Sequence, residues 1–132
     1  MIKRLIEKAL CRVPSIYRTL VNLRKPCNYE KLAYLKLIKH GNVVVEVGAN
    51  LGYFTRLFAY LVGTKGSVLA FEPIPSTREQ LLRNVNGLKQ VTILPYAISD
   101  KVGKIKMYVP GVTHGQASLK MHSSSGWGAA GE

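Results

Sequence analysis

The sequence predicts an α/β fold: a parallel sheet with helices laid along it. Three observations carry that expectation. Short β-rich runs alternate with segments of helical periodicity, in the order β-α-β-α-β. The first of these runs, residues 42–47, is almost continuously apolar, as expected of a strand covered on both faces. Glycine and proline stand at the joints between runs, where the chain must turn.

Taken in order, residues 2–13 set Ile2, Leu5, Ile6, Ala9, Leu10 and Val13 on one helical stripe. Pro14 interrupts, and Ser15 is placed to cap a second short helix with Ile16, Tyr17, Leu20 and Val21. Asn28 is placed to cap a third helix bearing Leu32, Leu35 and Ile38, which stops at His40-Gly41. The first strand follows. Gly48 to Gly52 turns, and Phe54, Leu57, Phe58, Leu61 and Val62 make a helical stripe ending at Gly63. A second strand is expected over 67–72. Ser76 and Glu79 then have the spacing of a capping box for a helix with Leu81, Leu82 and Val85 inward. A third strand is expected over 91–96. After the turn at 99–103, Ile105, Met107 and Val109 alternate as in a further strand. The organisation is thus a basic helical segment over 1–40, a core over 41–110, and a Gly/Ser-rich tail over 111–132.

At 132 residues the chain has the size of one domain. No apolar run approaches the ~18 residues of a membrane span. No hydrophobic stretch of signal-peptide type follows the basic N-terminus. Cys11 and Cys27 are isolated thiols, which suits a reducing, cytoplasmic location. His114, His122 and Trp127 have neither metal-ligand nor triad spacing around them, so no metal site is expected. Tyr29, Tyr34 and Tyr60 read as packing residues. Of the net charge of +12, residues 1–40 supply +8. Such a segment suits RNA, an anionic membrane surface or simply a solvated helix face.

The chemistry is concentrated around the first glycine turn. In an open parallel sheet, ligands settle at the carboxyl ends of the strands. Gly48 and Gly52 let the backbone turn and approach a ligand. Glu72, ending the second strand, is placed to accept both hydroxyls of a ribose. The spacing is G-x-x-x-G and lacks the middle glycine of a dinucleotide fingerprint; no Gly-Lys-Ser/Thr follows to make a P-loop. Glu46 puts negative charge at the mouth of the turn, where a pyrophosphate would be repelled. S-adenosylmethionine (SAM) has no phosphate and brings an ammonium and a sulfonium, so an acid at 46 favours the methyl donor over NAD.

The segments VVEVGANLGYFT, VLAFEPIPSTREQLLRNV and VTILPYAISD resemble the FkbM-type family of SAM-dependent methyltransferases, a Rossmann-like class I group, over about residues 30–120. The resemblance implies that Glu46, Gly48, Ala49, Asn50 and Gly52 line the methionine portion of the cofactor, with Tyr53 beside them. It implies Glu72 on the ribose, and Ala97 near the adenine with Ile98 and Ser99. Asp100 is expected to shape the following turn. The implied activity is methylation of a hydroxyl oxygen on a sugar or secondary metabolite, a small-molecule acceptor. The alternatives are an RNA methyltransferase using the basic N-terminal segment, a non-catalytic, truncated cofactor-binding module, or a basic helical segment that docks on a membrane or a partner. No catalytic residue is assigned. Class I enzymes use seven strands, and the family's acidic strand near the transferred methyl has no counterpart here. The chain is therefore expected to be the N-terminal portion of a longer enzyme. Its first strand would then have an unpaired edge and the isolated chain marginal stability.

Overall fold

The computed structural model describes residues 29–104, 106 and 107, with residues 9, 12, 13, 15, 16 and 19 of the N-terminal segment. Two compact units divide the chain, residues 1–97 and 98–132. The first holds the element order α1 (Tyr29–Leu37), β1 (Val43–Val47), α2 (Tyr53–Val62), a 3₁₀ turn (Gly63–Lys65), β2 (Ser67–Phe71), α3 (Pro75–Asn84) and β3 (Val91–Leu94). The three strands are parallel, in the order β1-β2-β3. Val43 pairs with Ser67 and Val47 with Phe71; Val68 pairs with Val91 and Phe71 with Leu94. Each parallel crossover carries a helix, so the predicted α/β arrangement with a Rossmann-like partial sheet is what the chain forms.

Paired residues of neighbouring parallel strands share a face. One face therefore carries Val44, Glu46, Val68, Ala70, Val91 and Ile93. Against it pack Leu57, Phe58, Leu61 and Val62 of α2, with Leu35 of α1, around Val68. A second cluster gathers Ala49, Ala70, Leu81 and Val85, with Ile93 against it. Tyr34 stands edge-on to Phe54 and Phe58, with ring centroids 5.3 and 4.9 Å away, which fixes α1 on α2. Tyr34 and Tyr60 are packing residues, as expected, whereas Tyr29 is exposed at the start of α1.

The other face departs from expectation. Val43, Val45 and Val47 are 67, 59 and 62 % exposed, so β1 is covered on one face and open on the other. The apolar run recorded that both faces suit apolar contact. Among the described residues, α2 and α3 both pack on the Val44/Glu46 side.

Smaller differences lie at the helix ends. The capping box does not form, because α3 begins at Pro75 with Ile74 in the capping position. Proline's fixed φ is preorganised for the first helical residue, and Ser76 and Glu79 fall inside the helix. Glu79 instead pairs with Arg83 one turn on. The third strand stops at Leu94, ahead of Pro95, which has no N–H to donate to a ladder. The further strand expected near 104–109 is not seen at Lys104, Lys106 or Met107, and its other positions lie outside the described residues. The helices expected over 2–13 and after Ser15, the Asn28 cap, the thiols and the tail also fall largely or wholly outside them. Ser15, Ile16 and Thr19 are helical.

Candidate functional site

The carboxyl ends of β1 and β2 are stitched together by the glycine turn. The backbone N–H groups of Gly48 and Ala49 both donate to the Phe71 carbonyl, at 2.9 and 3.0 Å. The N–H of Asn50 donates to Glu72 Oε2 at 2.9 Å, and the N–H of Ile74 to Oε1 of the same carboxylate at 3.0 Å. Glu72 is 4 % exposed, and its burial is offset by these two charge-assisted bonds. Its own N–H donates to the Leu94 carbonyl, so the end of β2 is also tied to the end of β3. Arg78 donates to the carbonyls of Glu72 and Pro73, holding the exit of β2 from the other side.

The two glycines of the turn are required for different reasons. Both have positive φ, +75° at Gly48 and +81° at Gly52, a region that side chains rarely adopt. A Cβ on Gly52 would meet Leu81 Cδ1 at 2.5 Å and Val85 Cγ1 at 3.3 Å, so the side chains of α3 and its C-terminal end would have to shift to admit one. A Cβ on Gly48 would meet nothing within 4 Å, which leaves open space above the backbone there. Asn50 also has positive φ, +50°. Its Oδ1 is buried and finds no hydrogen-bond partner among the described residues. A buried acceptor without a partner is costly unless a ligand supplies the donor.

Glu46 sits on the covered face, one residue before the end of β1. Burial pushes its carboxyl up to about 7, against the opposing effect of Thr55, whose hydroxyl and N–H favour the charged form. The Thr55 hydroxyl donates to Glu46 Oε2 at 2.6 Å and is itself fully buried. Near neutral pH the carboxyl is therefore poised between its two states, and a cation brought against it would drive out the proton.

The structure brings Glu46, Gly48, Asn50, Gly52 and Glu72 to one turn. Ala49 belongs to it through its backbone, since its side chain is in the core. Tyr53, the first residue of α2, is half exposed and accepts a hydrogen bond from Lys31 of α1, whose ammonium also lies 4.6 Å from the ring centre. Ala97 follows β3 and is exposed. Ile98 and Ser99 lie in the second unit, where the Ser99 hydroxyl donates to Asp100 at 3.0 Å.

Sequence reasoning missed the residues that hold the turn from behind. Asn84 donates to the Leu51 carbonyl at 2.8 Å, so α3 anchors the turn directly, and Arg56 of α2 donates to the Asn84 carbonyl at 2.8 Å, tying the two helices together behind it. Thr55 was detectable in principle: a hydroxyl in the first turn of an apolar helix, three residues past Gly52, needs a buried partner. Among the described residues no group of three metal-ligating side chains occurs, and no helix is long and apolar enough to cross a membrane.

Comparison with known proteins places this turn in context. The chain is 30 % identical over 95 residues to protein-L-isoaspartate O-methyltransferase 1 of Arabidopsis thaliana, a match covering 72 % of this chain and 39 % of that protein. The chain thus spans well under half of that relative's length. Among solved structures it is similar to a putative rRNA-methylase from Clostridium thermocellum, with 22 % identity, a TM-score of 0.53, and coverage of 68 % of this chain and 56 % of that one. It is likewise similar to a SAM-dependent O-methyltransferase from Thermotoga maritima, with 22 % identity, a TM-score of 0.51, and coverage of 64 and 33 %. At these identities the two structures bear on the fold, which they share with the partial sheet described above. The model of the methyltransferase FkbM domain matches residues 46–131, from Glu46 through the glycine turn and all three strand ends, and on that match the chain belongs to the FkbM methyltransferase domain family.

Proposed function

We propose that this chain provides the SAM-binding part of a methyltransferase acting on a hydroxyl oxygen of a sugar or secondary metabolite. The observation that carries the cofactor reading is the pairing of a partly buried acid, Glu46, with the open backbone cradle at Gly48. A phosphate-bearing cofactor would meet repulsion there, whereas the ammonium of a methionine portion would be drawn in. The residues present fit the group. Gly48 leaves room for close approach, and Asn50 offers an unspent buried acceptor. Glu72 keeps lone pairs beyond the two that accept backbone N–H groups, and these suit ribose hydroxyls. Ala49, Gly52 and Tyr53 would complete the wall on the methionine side, and Ala97 would lie near the adenine.

SAM, when bound, supplies a methyl already activated on sulfonium. What the chain's own residues contribute is alignment: the stitched turn holds the carboxylates and the cradle in fixed relation, so that donor and acceptor meet in line. The acceptor class rests on the family resemblance.

Calorimetry tests the reading. S-adenosylhomocysteine and SAM should bind the wild-type chain, and NAD should not. Glu46→Gln is expected to weaken binding by about 10- to 100-fold, the scale of one charge-assisted contact. Gly48→Val should abolish it, but at φ +75° the branched side chain also strains the turn, so its loss of binding counts only where circular dichroism shows the variant folded. A folded wild type that binds neither SAM nor S-adenosylhomocysteine would overturn the proposal.

A further inference from the structure

Thr55 is three residues past the second glycine of the turn and is hydrogen-bonded to Glu46 near the end of β1. We propose that Thr55 is a positioning residue for cofactor recognition: its buried hydroxyl, in the first turn of α2, holds the Glu46 carboxylate to meet the cationic amine of the methyl donor. This rests on the cofactor reading above.

Three observations support it. The hydroxyl is completely buried, where an unsatisfied donor would be costly, and its partner is one carboxylate oxygen of Glu46 at 2.6 Å. Valine has nearly the shape of threonine and would fill the same space in an otherwise apolar helix face. Packing alone therefore does not call for the oxygen. Finally, the missing Cβ of Gly52 would stand 3.7 Å from Thr55 Oγ1, so the turn, the helix start and the end of β1 are one packed cluster. A shift of this hydroxyl would move the acid that it holds.

The surroundings of Glu46 leave Thr55 as the group through which its charge is tuned. On β2 the residue in register is Ala70, which carries no charge. From α1, the Tyr34 hydroxyl donates to Glu30, and Glu30 first and the charge of Glu46 last make Tyr34 harder to ionise. Burial favours the protonated carboxyl and Thr55 favours the charged one. An ammonium ligand binds the charged form, so affinity should climb as pH rises through the carboxyl's titration near 7. Removing the hydroxyl should move that climb to higher pH.

The test is the pH profile of S-adenosylhomocysteine affinity between about pH 5 and 9, together with ¹³C-carboxyl NMR titration of Glu46 in the cofactor-free protein. Thr55→Val is expected to raise the Glu46 midpoint, shift the affinity profile upward in pH and weaken binding about 3- to 10-fold near neutrality. Thr55→Ser, which keeps the hydroxyl, should restore both. If Thr55→Val does not fold, Thr55→Cys, a poorer donor of similar size, carries the same expectation. Absence of S-adenosylhomocysteine binding at every pH would overturn the cofactor reading; binding that is flat in pH, or whose profile Glu46→Gln leaves unchanged, would overturn the charge role of Glu46 and with it the positioning role of Thr55. A sloping wild-type profile that Thr55→Val weakens equally at every pH, with the Glu46 midpoint unmoved, would overturn the positioning role alone.

Discussion

The two faces of the same three-stranded sheet have opposite fates. Val68 and Ala70 are fully buried beneath α2 and α3, while their neighbours in β1 on the other side, Val43, Val45 and Val47, are each more than half exposed. Composition does not explain the difference, since valine stands on both sides. What differs is the availability of a partner: the helices of both crossovers pack on one face. The candidate site belongs to the covered face. Glu46 shares it with Val44, Val68 and Ala70, and burial there gives the acid its raised pKa. Packing and the candidate site are thus concentrated on one side of the described sheet.

The largest effect expected of this asymmetry is in stability. Leu57 is 1 % exposed at the centre of the larger cluster, and Leu57→Ala should cost about 2–5 kcal/mol, from lost burial and the cavity left behind. Urea denaturation followed by circular dichroism measures it. A cost below about 1 kcal/mol would mean that the helices lie loosely on the sheet and that the contrast between the faces is weaker than the burial of Leu57 indicates.

A second test uses the acid on the covered face. The carboxyl of Glu46 is raised from 4.5 to about 7 in the folded chain. Between those values the folded state keeps a proton that the unfolded chain has released. Its contribution to stability is therefore full below pH 4.5 and lost as pH rises through about 7. At about 1.4 kcal/mol per pH unit, this one group should lower stability by about 3 kcal/mol across the window. Denaturation midpoints at several pH values, compared with Glu46→Gln, check this; the variant should show a flatter dependence. Stability that rises over the same window in wild type but not in the variant would mean that the charged form is the better accommodated one, and that the covered face is wetter at Glu46 than its packing suggests.

How far the sequence anticipated this molecule can be judged at particular residues. The succession of strands and helices along the chain and the α2 stripe are readable because period 2 and period 3.6 differ and glycines mark the joints. The turn at 48–52 was readable because only a few chemistries need an acid before two glycines. The open face was hidden, because Val43 to Val47 looks the same whether one face or two are covered, and burial depends on elements far away in sequence. The start of α3 was missed because Pro75 outcompeted the Ser76 cap, a contest between two local signals that the sequence alone leaves open. The second roles of Glu72 and Gly52 were hidden for a further reason. A carboxylate that clasps Asn50 and Ile74, and a glycine pressed on Leu81, are defined by contacts across 22 and 29 positions of chain. Spacing motifs carry no information about such contacts.

The smallest expected effect is the most informative about the open face. Val45 is the central residue of β1 and points away from both helices, and β1 is an edge strand of the described sheet. Threonine is nearly isosteric with valine and equally suited to a strand, so Val45→Thr should leave the unfolding free energy within about 0.5 kcal/mol of wild type. The change should still be visible in solution behaviour. An exposed apolar strip beside an unpaired strand edge invites self-association, and the added hydroxyl should reduce dye binding and aggregation without touching the core. Should Val45→Thr instead cost 1 kcal/mol or more on this scale, Val45 would have to be desolvated in the protein as it folds. In that case the two faces would differ in what covers them, and no longer in whether they are covered.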